Sequence, residues 1–206
     1  MNLPSHIYQH YAKTKKQIRE RLLDFKRVPK SEYFYELCFC LCTPQSKAAN
    51  ALLVVEKLKQ FDFQNRNVNP IKILNDKSHY IRFHNQKAKN LINMKSIFPE
   101  IISVLKSDMK PMGKRLWLTE NVKGLGMKES SHFLRNIGYR NLAILDRHIL
   151  KHLVGCGVYK EIPKVSSLTQ YIQVEKEFIN FSKFIKIPID ELDLLFWSYE
   201  TGLILK

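Results

Sequence analysis

Two short segments carry residue types that could do chemistry together. The first is Val122-Lys123-Gly124-Leu125-Gly126, followed two residues on by Lys128. Glycines on both sides of one apolar residue permit backbone angles closed to other residues and let the main chain approach a ligand without a Cβ in the way. A helical stretch then runs from Lys128 to a stop at Gly138. Free N–H groups and the positive end of that helix make an anion site. Lys128 stands in the first turn, where a cation is unfavourable against the macrodipole by some tenths up to about 1 kcal/mol. The placement favours the uncharged amine, partial burial acts the same way, and an uncharged lysine is a nucleophile. Eighteen residues later comes Asp146 in Leu145-Asp146-Arg147-His148, where an apolar run ends and the helical rhythm of Ile149, Leu150 and Leu153 begins. An aspartate there is a good N-cap, and the cap alone accounts for its presence. A glycine loop with a lysine serves equally to hold phosphate, so neither segment is specific by itself.

The cysteines do not form a third centre. Cys38, Cys40 and Cys42 alternate and Cys156 is remote, a pattern that suits neither a disulfide framework nor a four-ligand zinc site. Buried free thiols acting as small hydrophobes are the expectation, with no metal and no cofactor.

The elements that must position these residues are helical. Leu52, Val55, Leu58 and Lys59 follow a helical rhythm, with the lysine at the edge, and Ile92, Met94, Ile97 and Phe98 continue a similar stripe. From Lys13 to Arg27 an amphipathic helix places Ile18, Leu22 and Phe25 on one face and a solvated basic back on the other. No segment alternates over a strand's length, and there is no internal repeat.

The 206 residues hold 34 Lys+Arg against 19 Asp+Glu, a balance of +15. At 45% hydrophobic and 26% charged, with 7 Gly and 8 Pro, the chain is neither disordered nor fibrous. The charge opposes self-association, so a monomer is expected, and it attracts polyanions, nucleic acid first and anionic membrane second. The membrane weakens as a partner because no stretch approaches the roughly 20 apolar residues that span a bilayer. The opening residues lack an apolar run before their charges, so no signal peptide is expected and the location is cytoplasmic, on the nucleoid. Residues 1–103 carry +10 of the balance and residues 104–206 the remaining +5.

A hairpin with a lysine at the start of its second helix, followed by Asp-x-His at the start of the next, resembles the helix-hairpin-helix DNA glycosylases. The likeness is greatest to the second, short class of 8-oxoguanine DNA glycosylase/AP lyase, found chiefly in archaea. It is carried by Leu37-Cys38-Phe39-Cys40, Arg82 to Lys89, Val122 to Asn136, Leu145 to His148, and the end from Leu192-Asp193-Leu194 through Trp197 to Lys206. The first thirty or so residues lie outside it. The four C-terminal cysteines that hold an iron–sulfur cluster in endonuclease III have no counterpart after Cys156.

The resemblance implies an all-α, two-lobed fold across residues 1–206, with the hairpin at about 117–138 and the active site in the cleft between lobes. It implies that Lys128 attacks C1′ of a flipped nucleotide in double-stranded DNA containing oxidised guanine. The resulting Schiff base breaks down by β-elimination 3′ to the lesion. Asp146 supports charge at C1′ with one oxygen and caps its helix with the other. Gly124, Gly126 and His148 would hold phosphate, and Lys87 belongs to the basic DNA-facing stretch. Arg82 and Phe83 would fill the hole left by the flipped base, with Gln45 as a polar plug beside them. Asp193, Trp197 and the terminal Lys206 would read the base. A core Phe83, a core Trp197 and an uninvolved His148 are the plain alternatives. For the whole chain the alternatives are an oxidised-pyrimidine glycosylase/lyase and a non-catalytic helix-hairpin-helix module.

Overall fold

A computed structural model describes residues 1–205; Lys206 lies outside the described residues. Every regular element among the described residues is helical. The chain divides into two units, one made of residues 1–27 and 134–206 and the other of residues 28–133. None of the described helices is long and apolar enough to cross a membrane.

The discontinuous unit is built on α1 (Ser5–Arg27), α9 (Arg147–Gly155), α10 (Leu168–Ile185) and α11 (Ile189–Thr201). The α1 helix starts well upstream of the expected Lys13, and its buried stripe is Ile7, Tyr11, Ile18, Leu22 and Phe25. These lie on one helical face because they are spaced three, four or seven apart. The stripe packs against α11, which buries nine of its thirteen residues. Burying each large aliphatic or aromatic side chain contributes about 1.5–3 kcal/mol. Among the acidic residues this buries is Glu191, which needs partners to be tolerated there. It accepts from the Tyr11 hydroxyl and, at 3.0 Å, from Arg19.

In the contiguous unit, α2 (Tyr33–Cys42) buries Phe34 and an unbroken run from Glu36 to Cys42. A helix apolar on nearly every side must sit in a core. Its cysteines are free thiols, and burial pushes Cys42 up to about 12, so they behave as small hydrophobes. Around it lie α3 (Ala48–Gln60), α4 (Pro70–Leu74), α5 (His84–Ser96), α6 (Phe98–Lys106) and α7 (Pro111–Asn121). The expected stripe on α5 is corrected. Met94 and Leu91 are fully buried whereas Ile92 is 50% exposed. Two residues on a helix are about 200° apart, so Ile92 and Met94 cannot face one core. Ile97 ends α5, and Phe98 opens α6 instead of continuing the stripe.

Candidate active site

The hairpin is α7, a loop at 122–126, and α8 (Met127–Asn136), so its first helix begins upstream of the expected 117. The two helices are stitched by polar bonds: Arg115, fully buried, donates to Ser131 Oγ at 3.0 Å, and Thr119 donates to Ser130 Oγ at 3.1 Å. The His132 ring meets Phe39 of α2 edge-on at 5.7 Å. The middle of α8 is therefore in contact with the core helix. Its glycines differ. Gly124 has φ +92, and a Cβ there would lie 2.2 Å from Asn90 Nδ2 of α5 and 3.1 Å from Leu41 Cδ2 of α2. Its bare Cα lets the loop close on α2 and α5. Gly126 has no such backbone need, and a Cβ would meet the mobile end of Glu129 at 3.2 Å.

Lys128 projects from the first turn of α8 with 35% of its side chain exposed, and its amine lies 3.1 Å from Glu129 Oε1. The other Glu129 oxygen accepts from the Gly126 N–H at 3.3 Å, the backbone half of a capping box. One carboxylate thus ties the nucleophile candidate to the loop that precedes it. Sequence reasoning missed Glu129, although an acid three residues after a helix's N-cap is a recognisable signal.

Gln45, Arg82, Phe83 and Lys87 come together in the contiguous unit. Phe83 is 51% exposed, with the Arg82 guanidinium 5.0 Å from its ring, and Gln45 is exposed nearby in sequence to Ser46, which accepts from the Arg82 N–H at 3.0 Å. Neither aromatic nor plug is a core residue. Lys87 corrects the expectation of a phosphate contact. It is 6% exposed, and its amine donates to Cys42 O at 2.7 Å, Pro44 O at 2.6 Å and Ser46 Oγ at 3.2 Å. An ammonium has three donors, and all three are used inside the protein. Burial lowers it to about 8.

In the discontinuous unit a run without regular structure, residues 142–145, delivers Asp146. It is fixed by two residues one turn apart on α10: the Glu175 carboxylate accepts from the Ala143 N–H at 2.7 Å, and the Tyr171 hydroxyl donates to Ala143 O at 2.7 Å. Asp146 then caps α9. Its Oδ1 accepts from the His148 and Ile149 N–H groups at 2.8 and 2.9 Å, so one oxygen performs both capping bonds. Oδ2 has no hydrogen-bond partner among the described residues. His148 lies 3.7 Å from Glu200, which also contacts Lys151 and His152, each at 3.0 Å. Sequence reasoning missed Glu200; the His148 and His152 spacing of four was its signal.

Asp193, expected as a polar reader of the base, is an ion-paired residue. It is 8% exposed and paired with Arg135 at 2.9 Å, because a carboxylate buried that deeply needs a cation. Burial, with the Asp146 and Asp190 carboxylates, outweighs Arg135 and pushes it up to about 7. Trp197, one turn on, is half-buried. The expectation for Lys206 lies outside the described residues.

A chain whose regular elements among the described residues are all helices, with a helical hairpin whose second helix carries a lysine in its first turn, has the fold of the helix-hairpin-helix DNA glycosylases. A family model described as 8-oxoguanine DNA glycosylase matches residues 18–187. The chain belongs to that family. It is 36% identical to an 8-oxoguanine DNA glycosylase/AP lyase of Fusobacterium nucleatum, over 97% of this chain and 96% of the relative. With one of Korarchaeum cryptofilum it shares 35% identity over 95% and 93% of the two chains. The solved Methanocaldococcus jannaschii 8-oxoguanine glycosylase/lyase, in complex with 15mer DNA containing 8-oxoguanine, superposes with a TM-score of 0.84 at 30% identity, covering 96% of this chain and 98% of that one. The match begins inside α1, so the likeness reaches upstream of the residue 37 expected from motifs.

Proposed function

We infer that this chain is a bifunctional base-excision repair enzyme that removes 8-oxoguanine from DNA and cleaves the strand at the resulting site. The observation that carries this is the partly exposed Lys128 side chain at the head of α8, its amine beside Glu129, after a loop in which Gly124 has positive φ and packs closely on Asn90 and Leu41. The substrate is a duplex containing oxidised guanine, bound by a single copy of the chain in the cytoplasm. The lesion nucleotide must leave the stack, since its C1′ is unreachable inside the helix. Lys128, as the free amine, bonds to C1′ while the glycosidic bond breaks and the base departs with the electron pair and a proton. The sugar ring opens to a Schiff base. Loss of a C2′ proton then expels the 3′ phosphate. Asp146, with Oδ1 committed to the cap, uses Oδ2 to face the positive charge that develops at C1′. The Lys123 and Gly124 amides, which have no acceptor among the described residues, suit a phosphate oxygen.

Borohydride reduction in the presence of an 8-oxoguanine duplex tests the assignment. The wild type traps a covalent adduct, and Lys128→Gln loses the adduct while retaining duplex binding. A persisting adduct moves the nucleophile elsewhere. No adduct in the wild type leaves a non-catalytic module.

A further inference from the structure

Five non-glycine residues among the described residues have positive φ: Gln45, Asp62, Phe83, Asn141 and Lys186. Three have ordinary reasons. Asp and Asn tolerate this region, and Lys186 terminates α10 in the usual left-handed cap. Gln45 at +55° and Phe83 at +60° have no such reason, and a bulky aromatic in this region is strained. These two are also exposed, and one small polar cluster connects them. Lys87 Nζ takes the carbonyls of Cys42 and Pro44, immediately before Gln45, and the hydroxyl of Ser46, immediately after it. The same Ser46 hydroxyl accepts from the Arg82 N–H, immediately before Phe83. The backbone N–H of Lys87 bonds to Phe83 O at 3.0 Å, and Asn50 ties the carbonyl of Tyr80 at 3.0 Å. Lys87 is also within electrostatic reach of Lys128 and Glu129.

We propose that Lys87, acting through Ser46, is a positioning residue that holds the Gln45 and Arg82-Phe83 turns in their strained form, so that both side chains are set to enter the duplex when the lesion is flipped. This rests on the reading of those turns as DNA-inserting. Strain held by bonds formed before binding spares the complex from ordering two loops on contact. A lysine serves because three diverging donors are needed at one point, and Met of similar length supplies none.

The test is a double-mutant cycle on the full chain: Lys87→Met, Phe83→Ala and the pair, read by single-turnover excision from an 8-oxoguanine duplex below the melting range of every variant. If Lys87 acts through the turns, Lys87→Met slows excision about tenfold alone but less than about twofold in the Phe83→Ala background, the non-additivity of residues in one network. A 2-aminopurine beside the lesion gives the second readout, its fluorescence rise on binding being lost in Lys87→Met. An equal slowing in both backgrounds, or wild-type fluorescence in Lys87→Met, overturns the proposal. If Lys87→Met does not fold, Ser46→Ala runs the same cycle against the same criteria. Wild-type excision by both Phe83→Ala and Gln45→Ala instead overturns the reading of the turns themselves.

Discussion

Alanine at 124 and alanine at 126 are the same change in a symmetric-looking motif, and the structure expects them to behave differently. At 124 the backbone is at φ +92, where a residue with a Cβ loses about 1–2 kcal/mol. The new methyl would also sit 2.2 Å from Asn90 Nδ2, closer than any real contact. Relieving that overlap in a packed interior costs about 1–3 kcal/mol. Moving Asn90 breaks its 3.0 Å bond from Gln86, worth about 0.5–1.5 kcal/mol. Against these, alanine restricts the unfolded chain and returns about 0.4–1 kcal/mol. The net for Gly124→Ala is a loss of about 1.5–6 kcal/mol. At 126 the φ is not positive and the obstacle is the far end of Glu129, so Gly126→Ala stays within about 1 kcal/mol of wild type. Because the chain has two units, unfolding is followed in the contiguous one through Trp117 of α7, with Trp197 replaced by Phe, and fitted as a urea transition. Equal losses at the two glycines would refute the argument that close approach to α5 distinguishes them.

Two further outcomes follow from carboxylates in the discontinuous unit. Asp146→Asn keeps a good N-cap, so urea melts should stay within about 0.5 kcal/mol of wild type, whereas Asp146→Ala loses about 1 kcal/mol. Both should slow single-turnover excision by about a hundredfold or more, the size of one lost electrostatic stabiliser; near-normal excision by Asp146→Asn would reduce Asp146 to a cap. Asp193 carries a pH dependence. Its folded value is raised to about 7 from 3.8, so between those values the native state binds more protons than the unfolded chain. Its contribution to stability is therefore full below about pH 4 and is lost as pH rises through about 7. Wild type should lose more stability between pH 5 and pH 8 than Asp193→Asn does, by a few kcal/mol in urea melts; parallel losses would show that Asp193 is ionised throughout.

The local placement of the candidate residues was more legible in the sequence than the bonds that hold the fold. That Lys128 stands in the first turn of α8 and that Asp146 caps α9 could be read because a glycine loop before a helix and an N-cap are local patterns, each within a few residues. The helical class was legible for the same reason, since α1 shows its buried face in Ile18, Leu22 and Phe25 alone. What escaped is what long-range partners decide. Lys87 reads as one more basic residue in a basic stretch, and it takes folding of α2 against α5 to bring two carbonyls and a hydroxyl to its amine. Asp193 reads as an available acceptor until Arg135, 58 residues away, occupies it. The stripe on α5 failed for a simpler reason. Its residues were collected by hydrophobicity across the end of one helix and the start of the next.

The order of the units along the chain has a consequence for biosynthesis. Residues 28–133 form one unbroken stretch, whereas the other unit joins α1 to elements beginning at residue 134. A growing chain releases the N-terminal portion first, so α1 emerges before anything it packs against exists. Its buried stripe waits for α11, whose Leu192, Leu194, Leu195 and Phe196 are translated only after residues 28–133. By the time α11 is made, the complete stretch of residues 28–133, which carries Lys128, has already left the ribosome. The stretch bearing Lys128 can thus fold while the unit bearing Asp146 is still being made, and that unit is completed only when α11 packs on α1.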